Sequence, residues 1–318
     1  MTAWLNKHLE TTKYSLEPAS EDASFRSYYR LRYDEVSRVI MDAPPAQEDV
    51  VPFITISDIL QTAKLHTPHL YLKNIDQGFL MLEDLGIRDY LSQLNQSSAS
   101  NLYHDAIDAL IKLQQIKTDQ LPAYNSELLA QEMALFPEWL IGQHLSITLS
   151  EDHQDILKDT MESLISSALE QPQTMVHRDY HSRNLMVTEE NNPGVIDFQD
   201  AVIGPVTYDL VSLLKDCYIK WSDNEIHSWV DYYRSMQSLV AKVPREKFIK
   251  WFDLMGIQRH LKAIGIFARL NHRDNKPGYL KDIPRTLSYI VDCAPRYEET
   301  QPLMHLIDEL DLVNRVQR

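Results

Sequence analysis

The sequence predicts an α+β chain in which a small β-rich lobe precedes a larger, mainly helical lobe. Strand-type segments crowd into the residues before Leu91, whereas beyond it apolar residues recur at three- and four-residue spacing. Two short strand-like pieces, 185–187 and 194–196, interrupt the helical part around a turn of the sequence NNPG.

Taken in order, 27–33 and 36–41 are rich in aromatic and β-branched residues and read as strands. A helix is expected over 54–65, where Ile56, Ile59, Leu60 and Ala63 share a side. Strands follow at 70–73 and 79–82, the second after the turn signal Asp76-Gln77-Gly78. Helical spacing covers 102–113, 125–146, 153–169, 207–219, 224–241, 245–270 and 302–316. The join is expected at 83–86, giving lobes over 1–86 and 87–318.

Composition narrows the function. With 31 Lys+Arg against 46 Asp+Glu the formal charge is −15, unsuited to a general nucleic-acid binder, whose affinity comes from neutralising phosphates. Two cysteines, Cys217 and Cys293, are too few for a disulfide framework or a thiolate zinc site. No stretch approaches a membrane span and the N-terminus has no apolar block, so the cytoplasm is the expected address; a monomer is the expected state. Eight glycines form neither GxGxxG nor a Walker loop.

The chemistry concentrates in 175–187, MVHRDYHSRNLMV, and in 194–200, GVIDFQD. These deliver Asp179, Asn184 and Asp197 to neighbouring places. Phosphoryl transfer from a nucleotide needs magnesium, a hard ion satisfied by one or two carboxylates, an amide oxygen and phosphate oxygens. Asn184 and Asp197 have that ligand chemistry, and Asp179 is suited to orient a hydroxyl and accept its proton.

The pattern HxDxxxxN followed by a hairpin and IDF resembles the kinase-like phosphotransferases, which include aminoglycoside, choline and homoserine kinases. The segments DASFRSYYR, VIMDAPP, FLMLEDLG, LFPEWLIGQHL and GIQRHLKAIGIFARL, in that order, are similar to the bacterial anomeric sugar kinases that phosphorylate N-acetylmuramate and N-acetylglucosamine at C1 during cell-wall recycling. The resemblance implies a protein-kinase-like, two-lobed fold, ATP as donor, Mg²⁺ as cofactor and a small amino sugar as acceptor. It makes Asp179 the base, Asn184 and Asp197 the metal ligands, and His177 a brace of the catalytic loop. Asp209 matches the family's second buried aspartate, although an ordinary helix N-terminal acid is the alternative. Asp200 receives no role.

One departure stands out. Where a kinase strand carries lysine, this chain has Met41, and no glycine loop precedes it. Arg26 and Arg30 are the expected replacement cations, with Ser24 and Phe25 capping phosphates. The resemblance assigns the nucleobase to the backbone of Glu83, Asp84 and Leu85. For the acceptor, ten Lys+Arg against four acids over 245–285 suit an anionic group, with Gln258, Arg259, His260 and Lys262 as the candidate contacts and Glu138 and Trp139 as the opposite wall. The other readings keep the fold with a different acceptor (aminoglycoside, choline or homoserine), or make the chain a non-catalytic scaffold.

Overall fold

The computed structural model describes residues 1–9, 11, 13–21 and 25–317. The strands are β1 (Ser15–Glu21), β2 (Ser27–Tyr33), β3 (Val36–Asp42), β4 (Leu70–Asn74), β5 (Phe79–Glu83), β6 (Gln173–Val176), β7 (Leu185–Met186), β8 (Gly194–Val195) and β9 (Val202–Pro205). The helices are α1 (Thr2–His8), α2 (Val51–Thr62), α3 (Tyr90–Gln93), α4 (Ala99–Gln114), α5 (Ser126–Leu135), α6 (Glu151–Leu169), α7 (Tyr208–Leu214), α8 (Asp223–Met236), α9 (Arg245–Asp274), α10 (Ile283–Cys293), α11 (Gln301–Glu309) and α12 (Leu312–Arg315). The architecture is the two-lobed α+β fold the sequence predicts. Sequence periodicity missed α1, β1, α3, β6, β9 and α10. No helix among the described residues is long and apolar enough to cross a membrane.

The described residues fall into two compact units, one of 1–95 with 183–200, the other of 96–182 with 201–318. The sequence reading cut the chain once, after residue 86. The chain instead returns to the first unit, because the β7–β8 hairpin completes backbone pairing there. The Val187 N–H donates to the Arg88 carbonyl at 2.8 Å and the Val195 N–H to that of His66 at 2.7 Å. Phe198 adds an aromatic contact to Phe53, with ring centroids 4.8 Å apart.

In the first unit an antiparallel sheet runs in the order β1-β2-β3-β5-β4. Side chains alternate across it. Leu31, Ile40, Phe79 and Met81 pack with Trp4 and Leu5 of α1. The opposite face carries Arg30, Val39, Met41, Leu80 and Leu82, which the register sets in adjacent pairs.

In the second unit α9 is the central helix. Every residue from 251 to 262 is buried, and the helix packs against α5, α6, α7 and α10. The expected one-sided stripe of Leu254, Ile257, Leu261, Ile264 and Ala268 is therefore only part of its buried surface. α5 passes into π-helix over Phe136–His144, and α9 crosses this junction at Gly265. A Cβ on Gly265 would lie 2.4 Å from the Leu135 carbonyl carbon, so only glycine permits the approach.

Candidate active site

In the first unit, the β5 end and the hairpin supply two polar constellations. Arg30 donates from Nε to Asp84 Oδ2 at 2.7 Å, and from an Nη2 shared with the Gly86 carbonyl to Asp84 Oδ1 at 3.1 Å. Asp84 also accepts from the Ser37 hydroxyl and, at 3.0 Å, from the Gly86 N–H. Burial pushes its pKa up, but these donors outweigh it and hold the carboxyl below the usual range. Glu83 points to the other face, accepting from the His69 N–H at 3.2 Å. There a cleft of about 430 Å³ is lined by His66, Glu83, Leu85, Arg88, Val187 and Thr188, among others.

The second constellation flanks the hairpin. Asn184 precedes β7 and Asp197 follows β8, and the Asn184 amide donates to Asp197 Oδ2 at 3.2 Å. Asp197 adopts left-handed backbone with φ 64° and accepts from the Gln199 amide at 2.8 Å. A carboxylate beside an amide, both oxygen-bearing, fits the preference of magnesium for hard ligands completed by phosphate oxygens.

In the second unit the loop after β6 is tied down by Asp209 of α7. Its carboxylate accepts the His177 N–H at 2.7 Å and the Arg178 N–H at 3.0 Å. Complete burial raises its pKa to about 6 against the lowering effect of His177 and these N–H groups. His177 is buried, sets its ring edge against Tyr180, and its Nδ1 accepts from the Asp179 N–H at 3.3 Å. Between them Arg178 takes a left-handed φ of 77° and reaches Glu132 of α5. Glu132 also meets Lys262 Nζ at 3.0 Å and accepts from the Tyr124 hydroxyl. Enclosure drives the Asp179 pKa up, but Lys262, His181, Arg259 and His177 outweigh it, and the carboxyl sits below its ordinary value.

Asp179 thus stands in cationic surroundings in one unit, and the Asn184–Asp197 pair offers an amide and a carboxylate oxygen in the other. The model of the phosphotransferase enzyme family matches residues 15–243. The chain belongs to this family. It is 45% identical over 98% of its length to the N-acetylmuramate/N-acetylglucosamine kinase of Pseudomonas putida, covering 95% of that protein. Against the kinase of the same name from Pseudomonas aeruginosa it is 44% identical, over 95% of this chain and 90% of that one. Among solved structures it resembles the ADP-bound aminoglycoside phosphotransferase APH(2'')-Ib with a TM-score of 0.60 at 18% identity, over 90% of this chain and 96% of that one.

Several sequence expectations for this phosphotransferase change with the coordinates. Arg30 is occupied by Asp84 rather than presented to a phosphate. Arg26 lies 3.9 Å from Glu48, and the exposed Phe25 gives its N–H to the same carboxylate at 3.1 Å. Ser24 lies outside the described residues. Met41 is buried in the sheet. His260 is corrected to a core residue. It bonds the Lys215 carbonyl at 2.8 Å and stacks on Tyr289 at 4.8 Å, and burial with Arg259 pushes its pKa down to about 3.

The 245–285 stretch does not form one basic face either, because many of its cations pair locally. Arg245 meets Asp231, Lys247 meets Glu170, Lys250 meets Glu299 and Arg285 meets Asp282. Glu138 is exposed and Trp139 leans on the apolar core of its unit. Gln258, Arg259 and Lys262 are buried, the last two within the electrostatic reach of Asp179. Sequence reading missed Glu132, Arg178 and Tyr124. The tripeptide HRD contains Arg178, but nothing local tells that its partner lies on α5.

Proposed function

We propose that this phosphotransferase uses ATP and Mg²⁺ to phosphorylate the C1 hydroxyl of N-acetylmuramate and N-acetylglucosamine in cell-wall recycling, in the cytoplasm. The acceptor class is supported by the near-full-length relatives that carry both sugars in their names. The observation that carries the reading is the environment of Asp179, a carboxylate kept ionised chiefly by Lys262 and Arg259 on a loop fastened by Asp209.

Asp179 would accept the hydrogen bond of the C1 hydroxyl at a carboxylate oxygen and take its proton as the phosphoryl group transfers. An anomeric hydroxyl is more acidic than an ordinary alcohol, so orientation matters more than basicity. Asn184 and Asp197 would hold the metal, which supplies compensation of phosphate charge when bound. On the sheet, Val39, Met41, Leu80 and Leu82 offer apolar cover, and the backbone of 83–85 would hold the base. The solved fold relative with bound ADP supports a nucleotide there. Arg26 remains the candidate cation for the phosphates. His177 and Asp209 would act by shaping the loop.

The test is an ATP-consumption assay with magnesium across both sugars, choline, homoserine and an aminoglycoside, with the product identified by phosphorus NMR. Sugar 1-phosphate is expected from the two amino sugars. Asp179→Asn and Asp197→Asn should each abolish turnover with an unchanged circular dichroism spectrum. Turnover confined to another acceptor, or near-normal rates in both variants, would sink the proposal.

A further inference from the structure

Half-buried Arg178 neighbours Asp179 in the chain, buried Lys262 and Arg259 act on it through space, and the three cations are not equivalent. Arg178 and Lys262 share Glu132, and Lys262 also donates to the Tyr208 hydroxyl at 3.1 Å. Arg259 has no such partner. It is 5% exposed, its one hydrogen bond among the described residues runs from Nη1 to Cys217 Sγ at 3.7 Å, and its Nε has none. A thiol sulfur is a weak acceptor for a guanidinium with five donors. Asp216, the nearby acid, is used elsewhere, accepting from the Ser182 N–H and hydroxyl and from the Tyr218 N–H. Next in the chain, Gln258 is wholly buried, and neither amide atom finds a partner among the described residues.

A buried charge without a bonded counter-ion is costly, so its open donors call for a partner, and a bound anion is one that would supply it. Arg259 and Lys262 lie three residues apart on α9, hence on one face, and both act on Asp179 and Tyr208. The unfilled donors therefore belong to the side of the site that serves the acceptor hydroxyl.

We propose that Arg259 is the receptor for an acceptor carboxylate, and so sets the preference for N-acetylmuramate over N-acetylglucosamine. It rests on the sugar-kinase reading above. N-acetylmuramate carries a lactyl carboxylate where N-acetylglucosamine has a hydroxyl, and a planar guanidinium grips a carboxylate through two parallel donors. Lys262, by contrast, is already paired with the Glu132 carboxylate and the Tyr208 hydroxyl, and serves the loop.

The experiment titrates each sugar into the nucleotide-free protein by calorimetry, with kcat/KM measured in parallel, for wild type, Arg259→Gln and Arg259→Lys. The wild type should bind the muramyl sugar more tightly. In Arg259→Gln the muramyl-to-glucosamine ratio should fall roughly 10- to 100-fold in both measurements, as expected for loss of a charge-assisted pair. Arg259→Lys, with a point charge instead of a fork, should recover part of that ratio.

Equal losses on both sugars in Gln and Lys variants that retain the wild-type fold would overturn the receptor role. A raised KM for ATP at an unchanged sugar ratio would also overturn it, by giving the anion to the donor phosphates. A wild type that binds N-acetylmuramate through Arg259 yet phosphorylates neither sugar would remove the sugar-kinase reading and leave the receptor standing.

Discussion

Arg30 and Asp84, 54 residues apart, form a two-point ion pair in which Arg30 also reaches the Gly86 carbonyl. The pair joins β2 to the segment after β5 and holds that segment against the sheet face opposite α1. Its side chains are largely shielded from solvent, so it constrains backbone more than a surface ion pair does. In the proposed kinase this segment carries the nucleobase.

Breaking the clamp should therefore affect the nucleotide first. Arg30→Ala and Asp84→Asn are each expected to raise KM for ATP about 10-fold, the equivalent of one charge-assisted hydrogen bond, with a smaller change in KM for sugar. Steady-state kinetics with each substrate varied decides the matter. Sugar KM rising as much as ATP KM would show that the pair supports the fold at large.

Glu132 neutralises two cations at once, buried Lys262 and half-buried Arg178. Glu132→Gln leaves Arg178 and Lys262 without their shared anion, and removal of one member of a buried ionic group costs about 3–5 kcal/mol. Urea unfolding should show a loss of that order, and kcat should fall as the loop carrying Asp179 loosens. A variant that unfolds at the wild-type midpoint would mean the network is neutral in energy. Replacing Lys262 with Met in the Glu132→Gln background should recover part of the stability, because the unmatched charge goes too.

His260 provides the pH test. Its folded pKa of about 3 lies below the unfolded value near 6.5. The unfolded chain takes up a proton below pH 6.5 that the buried imidazole refuses. The stability contributed by neutral His260 is thus fully present above pH 6.5 and is lost as pH falls toward 3, at up to about 1.4 kcal/mol per pH unit. His260→Gln should flatten the fall in unfolding free energy across that range. Identical slopes for variant and wild type would contradict the burial that gives this histidine its shift.

The sequence by itself determined the elements whose signals are local. The strands 27–33, 36–41, 70–73 and 79–82 and the long helix from residue 245 follow from periodicity and residue type over a few turns. The motif that holds Asp179, Asn184 and Asp197 is likewise local, because it is read from spacing along one loop and hairpin. Its match to a known family carried the acceptor class as well. The tertiary structure alone decided the partners of the charges. Glu132 lies 46 residues from Arg178, and no pattern in either segment points to the other. A basic count over 245–285 could not tell the cations neutralised by neighbours from Arg259, which keeps its donors. Nor could periodicity tell that α9 is enclosed on all sides over 251–262, which turns His260 into core. Local order arises from neighbours in the chain, whereas pairing and burial arise from neighbours in space, and only the folded chain brings those together.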